Sequence, residues 1–175
     1  MRVISGKYKG RKLDGFNENG TRPTMDRVKE SIFGSIQNYI DDSIVLDLFA
    51  GSGSLGIEAL SNGSKSVYFV DNNSALIDII KKNTNNMAED IHIIKSDFLS
   101  ALNNFNNIKF DIIFLDPPYK MNLINKCINI IHEKDLLKEG GIIVCEYENE
   151  FVDTNLYRII KEKRYGSKNV KIYTK

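Results

Sequence analysis

At 175 residues and 42% hydrophobic content, the chain is sized for one globular domain with a real core. No apolar run approaches membrane-spanning length, and no secretory leader is expected, because Arg2 is followed almost at once by a basic, glycine-containing segment. The net charge of +1 conceals a segregation: residues 1–29 carry eight Lys/Arg against three acids, residues 158–175 seven against one, and the stretch between nine against nineteen. Such a pattern is expected where two chain ends build a site for a polyanion.

Residues 1–13 read as a short hairpin, Arg2-Val3-Ile4 and Lys9-Gly10-Arg11-Lys12-Leu13 around a glycine-containing turn. Residues 14–20 read as a loop. Thr24 is suited to cap a helix, and Val28, Ile32, Ile36 and Tyr39 then recur at four- and three-residue steps as an apolar stripe. In this opening segment Arg2, Lys7, Lys9, Arg11, Lys12, Arg22 and Arg27 are the candidates for phosphate contacts.

After Asp41-Asp42, strands and helices alternate. Strands are expected near 44–49, 66–70, 91–95, 110–115 and 141–145, with helices near 54–62, 74–86, 98–105 and 121–137. Gly63 and Gly140-Gly141 are candidate helix stops. Two last strands, near 156–162 and 168–174, turn at Tyr165-Gly166-Ser167, so the final strand should be antiparallel. Arg164 and Lys168 make that turn basic and extend the phosphate-contact set. The alternation predicts an α/β domain: a mostly parallel sheet with helices on both faces. Residues 1–40 would form a hairpin-and-helix extension to a core of 41–175. Cys127 and Cys145 fall in apolar periodic segments, and His92 and His132 show no ligand spacing with them. Buried thiols in a reducing, cytoplasmic setting are expected, with no metal.

Two motifs carry the chemistry. Val45-Leu46-Asp47-Leu48-Phe49-Ala50 runs into Gly51-x-Gly53-x-x-Gly56 and a helix. Glycines permit positive φ and close ligand approach, and a helix N-terminus offers unpaired N–H groups. Dinucleotide enzymes share this loop, so an oxidoreductase remains an alternative. Acids at three successive strand ends favour S-adenosylmethionine. Asp47 is placed for the methionine amino group and Asp71, beside Asn72, for the ribose hydroxyls. Asp97 is placed for the adenine amine, with Phe98 against the ring and Phe49 nearby. The second motif, Asp116-Pro117-Pro118-Tyr119, ends the apolar run Ile112-Ile113-Phe114-Leu115. It suits a planar ring bearing an exocyclic amine. Tyr119 stacks, Asp116 accepts from the amine, and the prolines remove backbone donors so that nearby carbonyls only accept.

These motifs, with Arg2-Val3-Ile4-Ser5-Gly6, Lys9-Gly10-Arg11-Lys12-Leu13, Thr21-Arg22-Pro23-Thr24-Met25-Asp26-Arg27-Val28-Lys29-Glu30 and Arg164-Tyr165-Gly166, resemble a family. It is the bacterial family of class I S-adenosylmethionine-dependent methyltransferases that modify N2 of a guanine in small-subunit (16S) ribosomal RNA. The resemblance implies a Rossmann-like, seven-stranded sheet in which the first and fourth strands are neighbours. It implies that the Thr-Arg-Pro-Thr stretch, with Thr24, closes over the cofactor. It also implies that Asp116 to Tyr119 hold the guanine, with ribosomal RNA as partner, on a small-subunit particle, and a monomeric enzyme. DNA adenine-N6 methylation is the nearest alternative chemistry.

Overall fold

The computed structural model describes residues 1–15, 22–118, 122–149 and 152–175, with the side chains of 22–24 outside that description. Tyr119 and the side chains of Arg22 and Thr24 therefore lie outside the described residues. The first element is helix α1 (Arg22–Ile40). Then come β1 (Ile44–Asp47), α2 (Ser54–Ser61), β2 (Ser66–Asp71), α3 (Ser74–Asn83), β3 (Asp90–Lys95) and α4 (Phe98–Asn104). The chain continues with β4 (Phe110–Leu115), α5 (Ile124–Glu133), β5 (Leu137–Tyr147), β6 (Arg158–Tyr165) and β7 (Lys168–Thr174).

Among the described residues the strands form one seven-stranded sheet in the order β3-β2-β1-β4-β5-β7-β6. β1 pairs in parallel with both β2 and β4, while β7 runs antiparallel to β5 and β6. The expected neighbours, first and fourth strand, are therefore adjacent. Because strand side chains alternate between faces, each apolar run feeds two cores. Val45, Val67, Phe69, Ile112, Phe114, Ile142 and Val144 pack with α1, α2 and α3. Leu46, Val70, Ile113, Leu115, Ile143 and Cys145 pack with α4 and α5. The result is a three-layer sandwich, buried on both faces as a parallel sheet requires. Cys127 and Cys145 are free and buried in the second core.

The structure corrects four local expectations. The segment 1–13 is closed by a single antiparallel bridge, Arg2 to Lys12, rather than by a two-stranded ladder. Helix α1 already includes Arg22, so Thr24 sits in its first turn and not at its cap. Helix α5 spans Ile124–Glu133 instead of 121–137. Asp135, at φ 53, turns the chain after it, and the Leu136 N–H bonds back to the Ile131 carbonyl. Leu136 and Leu137, read as the end of the helix, instead enter the second core. Gly140 and Gly141 thus lie within β5, where the β4–β5 register shifts. A Cβ on Gly141 would come 2.9 Å from the Lys138 carbonyl, so the irregular pairing needs glycine there.

Candidate active site

All parallel strands of a doubly wound sheet present their carboxyl ends to one edge, where ligands bind. Here that edge carries a row of polar side chains in sheet order: Asp97 just beyond β3, Asp71 ending β2, Asp47 ending β1, Asp116 just beyond β4 and Glu146 near the end of β5. Lys168, which opens antiparallel β7, completes the row. All six line one cleft of about 640 Å³, a size typical of small-molecule sites. Phe49, Gly51, Asn72, Phe98, Pro117 and Pro118 line it too.

In the half nearer β2, the three glycines divide their work. A Cβ on Gly51, at φ 56, would meet nothing within 4 Å, so this glycine opens onto the cleft and leaves a cradle for a ligand. Gly53, expected to contact the cofactor, does not line the cleft. Its φ is 83, and a Cβ there would meet Ile57 and Phe69 at 3.3 Å. Its role is to cap α2 in the left-handed region and let that helix pack. A Cβ on Gly56 would come 2.3 Å from Phe69, which makes it the point of closest helix–sheet approach.

The acids at these strand ends also hold the loop. Asp71 accepts from the Gly51 N–H at 2.9 Å through Oδ2 and from the Asn73 N–H at 2.9 Å through Oδ1. Asp47, almost fully buried, accepts from the Gly56 N–H at 2.9 Å. Burial pushes its carboxyl up to about 7, opposed by that hydrogen bond and reinforced by the Asp71 charge. An ammonium brought beside it would have a strong reason to stay. Asp97 accepts from the Ser100 N–H at 2.9 Å and caps α4, and the bonding at Ser100 holds its carboxyl below the usual range. The Phe49 and Phe98 rings lie 5.7 Å apart, at 36°, and both face the cleft.

The other half belongs to β4, β5 and β7. Pro117 and Pro118 follow Asp116 and contribute no backbone donors. Leu115 is paired with Cys145, so Asp116 and Glu146 are the next pair along two parallel neighbours. Glu146 is paired with Val170, two residues from Lys168 on the same strand face. Lys168 forms an ion pair with Glu146. Burial raises the Asp116 carboxyl well above its ordinary value, as do the charges of Glu146 and Asp47, while Lys168 opposes them. Sequence reasoning placed Lys168 with the phosphate contacts and passed over Glu146. The signal was present: Glu146 ends an apolar run, as Asp47 and Asp116 do.

Helix α1 closes the same face. Met25, Lys29 and, from the chain's start, Met1 line the cleft. The Lys29 ammonium is buried against Glu58 of α2 at 3.0 Å and donates to the Arg2 carbonyl at 2.8 Å and Ser54 Oγ at 3.2 Å. Glu58 in turn accepts from the backbone N–H groups of Ile4 and Ser5, at 3.0 and 2.8 Å. One ion pair thus fastens the opening segment to two helices, an arrangement no local pattern announced.

The basic residues are split. Arg2, Lys12 and Arg27 are exposed near the cleft end of the opening segment and α1. Arg164 is exposed at the end of β6, beside Tyr165, whose hydroxyl bonds Ser31 of α1, one turn beyond Arg27. Lys7, Lys9 and Arg11 lie at the other end. Lys7 pairs with Glu89 at 2.8 Å, and Arg11 donates to the Asn85 carbonyl at 2.5 Å, both just before β3 begins. That is the amino edge of the sheet, so these three do not share a surface with the cleft. Among the described residues no His, Cys, Asp and Glu cluster has the geometry to hold a metal, and no helix is long and apolar enough to cross a membrane.

Comparison with known proteins matches this arrangement closely. Residues 1–174 match the model of the family described as "Conserved hypothetical protein 95". The putative rRNA methyltransferase YlbH of Bacillus subtilis is 41% identical, covering 100% of this chain and 99% of that protein. The ribosomal RNA small subunit methyltransferase D of Haemophilus influenzae is 38% identical over 99% of this chain and 93% of its own length. The structure of the putative methyltransferase yhhF from Escherichia coli superposes with a TM-score of 0.88 at 31% identity, covering 100% of this chain and 97% of that one. With its fold, its strand-end acids and this match along nearly its whole length, the chain belongs to the conserved hypothetical protein 95 family, of class I S-adenosylmethionine-dependent methyltransferase architecture.

Proposed function

We propose that this protein methylates the exocyclic N2 of one guanine in small-subunit ribosomal RNA, with S-adenosylmethionine as methyl donor. The observation that carries the reading is the row of strand-end groups. It joins a half suited to the cofactor, from Asp97 to Asp47, to a half built on Asp116-Pro117-Pro118 with Glu146 and Lys168 in the same cleft. The relatives that match over nearly their whole length are named as ribosomal RNA methyltransferases, which supports the RNA substrate.

S-adenosylmethionine, when bound, supplies a sulfonium-activated methyl group. In the proposal Asp71 and Asn72 take the ribose and Phe98 and Asp97 the adenine. Asp47 faces the amino group, Gly51 lets the backbone approach, and Thr24 closes over the cofactor. Asp116 accepts a hydrogen bond from the guanine amine, and Tyr119 stacks on the ring. An aromatic amine is a poor nucleophile because its lone pair is delocalised. Orientation is therefore the main task, and proximity accounts for up to roughly 7–11 kcal/mol in favourable cases. Once methylated, the nitrogen is strongly acidic, so Asp116 need not be a strong base. The target base must leave its stack or lie in an exposed loop. Arg2, Lys12, Arg22, Arg27 and Arg164 would meet phosphates around it, positioning the RNA without specifying the base. The protein acts as a monomer in this reading.

The test uses small-subunit particles from a strain lacking the enzyme, with labelled S-adenosylmethionine and mass mapping of the RNA. One methyl group per particle on a guanine N2 is expected. Label on adenine N6, or equal labelling of short unstructured oligonucleotides, would overturn the reading.

A further inference from the structure

The geometry points to Glu146 as the residue that selects guanine, by accepting a hydrogen bond from the base N1–H while Lys168 holds it in place. The inference rests on the guanine-N2 reading above and deepens it. Across β4, β5 and β7 the cleft presents Asp116, Glu146 and Lys168 in that order. An ionised carboxylate only accepts hydrogen bonds, and an ammonium only donates them. Asp116, whose carboxyl is raised by burial and by the charge of Glu146, still accepts through its carbonyl oxygen when it holds a proton. The row therefore reads acceptor, acceptor, cation, beginning beside β1 and the cofactor half.

The Watson–Crick edge of guanine reads N2–H2, N1–H, O6: donor, donor, acceptor. Laid along the row, it puts the amine at Asp116, nearest the cofactor half, N1–H at Glu146 and the carbonyl oxygen towards the positive charge of Lys168. Adenine offers an amine beside an unprotonated N1, which would set a lone pair against the Glu146 carboxylate. Cytosine has the same fault at N3, and uracil has no exocyclic amine. Guanine alone among the four bases pairs an amine with an adjacent N–H. Its two donors would also relieve the repulsion between Asp116 and Glu146, two carboxylates on neighbouring strands. Glu146 is buried and bound to Lys168, so the reader is fixed before the base arrives, as discrimination requires.

The experiment compares guanine with 2-aminopurine at the target position of reconstituted small-subunit particles, using wild type and E146Q. 2-Aminopurine keeps the exocyclic amine but carries a lone pair at N1 and lacks O6, so the part of the preference that belongs to Glu146 is the part that E146Q removes. Wild type should prefer guanine by about 10- to 100-fold in kcat/KM, the range of one hydrogen bond to a charged group. In E146Q the Lys168 ammonium should hold the amide oxygen and turn its NH2 towards the base. Guanine turnover should then fall at least 10-fold and the preference should vanish or invert. Affinity for S-adenosylhomocysteine should stay within twofold of wild type. Equal use of both bases by wild type, or an unchanged preference in an E146Q protein that binds the cofactor product normally, would overturn the role of Glu146. If E146Q fails to fold, E146D takes its place: the withdrawn carboxylate should lower guanine turnover and shrink the preference over 2-aminopurine, and an unchanged preference would overturn the role of Glu146. Methyl on any atom other than N2 of the wild-type guanine would instead defeat the functional reading, and the inference with it.

Discussion

Lys29→Met tests whether the opening segment is fastened as described. The side chains of Lys29 and Glu58 are 4% and 0% exposed and 3.0 Å apart. Removing the ammonium leaves a carboxylate in the core, and breaking one partner of a buried pair costs about 3–5 kcal/mol. Glu58 keeps its bonds from Ile4, Ser5 N–H and Ser5 Oγ, which places the expected loss near the lower end, about 3 kcal/mol. The Arg2 carbonyl and Ser54 Oγ also lose a donor, which argues against a smaller loss. For a chain of this size that corresponds to a fall in Tm of roughly 6–12 °C. Urea unfolding followed by circular dichroism, with the m-value checked for constancy, measures it. Lys29→Met/Glu58→Gln should recover at least about 1 kcal/mol, since the stranded charge is gone. A loss under about 1 kcal/mol, or a double variant no better than the single, would show that the pair does not hold the segment.

Asp47 makes stability pH-dependent. Its carboxyl is pushed up to about 7 in the folded protein, so the native state holds a proton that the unfolded chain has already lost above about 4. Stability from this group is therefore present at low pH and lost as pH rises through about 7. Asp47→Asn should flatten that slope and be more stable than wild type at pH 8, by up to about 4 kcal/mol; identical pH profiles would contradict this. Gly53→Ala should destabilise by about 1–3 kcal/mol through a positive φ and crowding against Ile57 and Phe69, whereas Gly51→Ala, at positive φ but with open space for its Cβ, should cost about 1 kcal/mol and also lower calorimetric affinity for S-adenosylhomocysteine. Asp71→Ala should weaken that affinity by roughly 10-fold or more, because it removes the Gly51 anchor along with any ribose hydrogen bond; unchanged affinity would remove Asp71 from the site. Asp116→Ala should lose turnover while keeping cofactor affinity and fold, and a fully active variant would make the motif structural. Neutralising Arg27 and Arg164 should lower the salt slope of RNA binding by roughly 0.7–0.9 for each phosphate no longer neutralised, while neutralising Lys7, Lys9 and Arg11, on the opposite edge, should leave it unchanged.

The sheet and much of its chemistry follow from the linear order of residues. Apolar runs such as Ile112 to Leu115 are long, continuous and bounded, and only a strand buried on both faces accommodates them. An acid just after such a run must stand at the strand's end, so the pattern alone assigns Asp47, Asp71, Asp97 and Asp116 to one edge. Local patterns could not fix boundaries set by distant neighbours. Leu136 and Leu137 continue a helical stripe on paper, yet the second core draws them into a turn and a strand. Composition could show that the chain ends are basic but not that Lys7, Lys9 and Arg11 face away from the site, because one short segment runs the height of α2 between opposite edges of the sheet. The partition among the glycines depended on Phe69, sixteen residues beyond Gly53, arriving beneath α2. The pairing of Glu146 with Lys168 needed β7 to insert beside β5. Sequence spacing carries what neighbours along the chain impose on one another; which groups face each other across the cleft is set by strand order, and only the folded sheet expresses that.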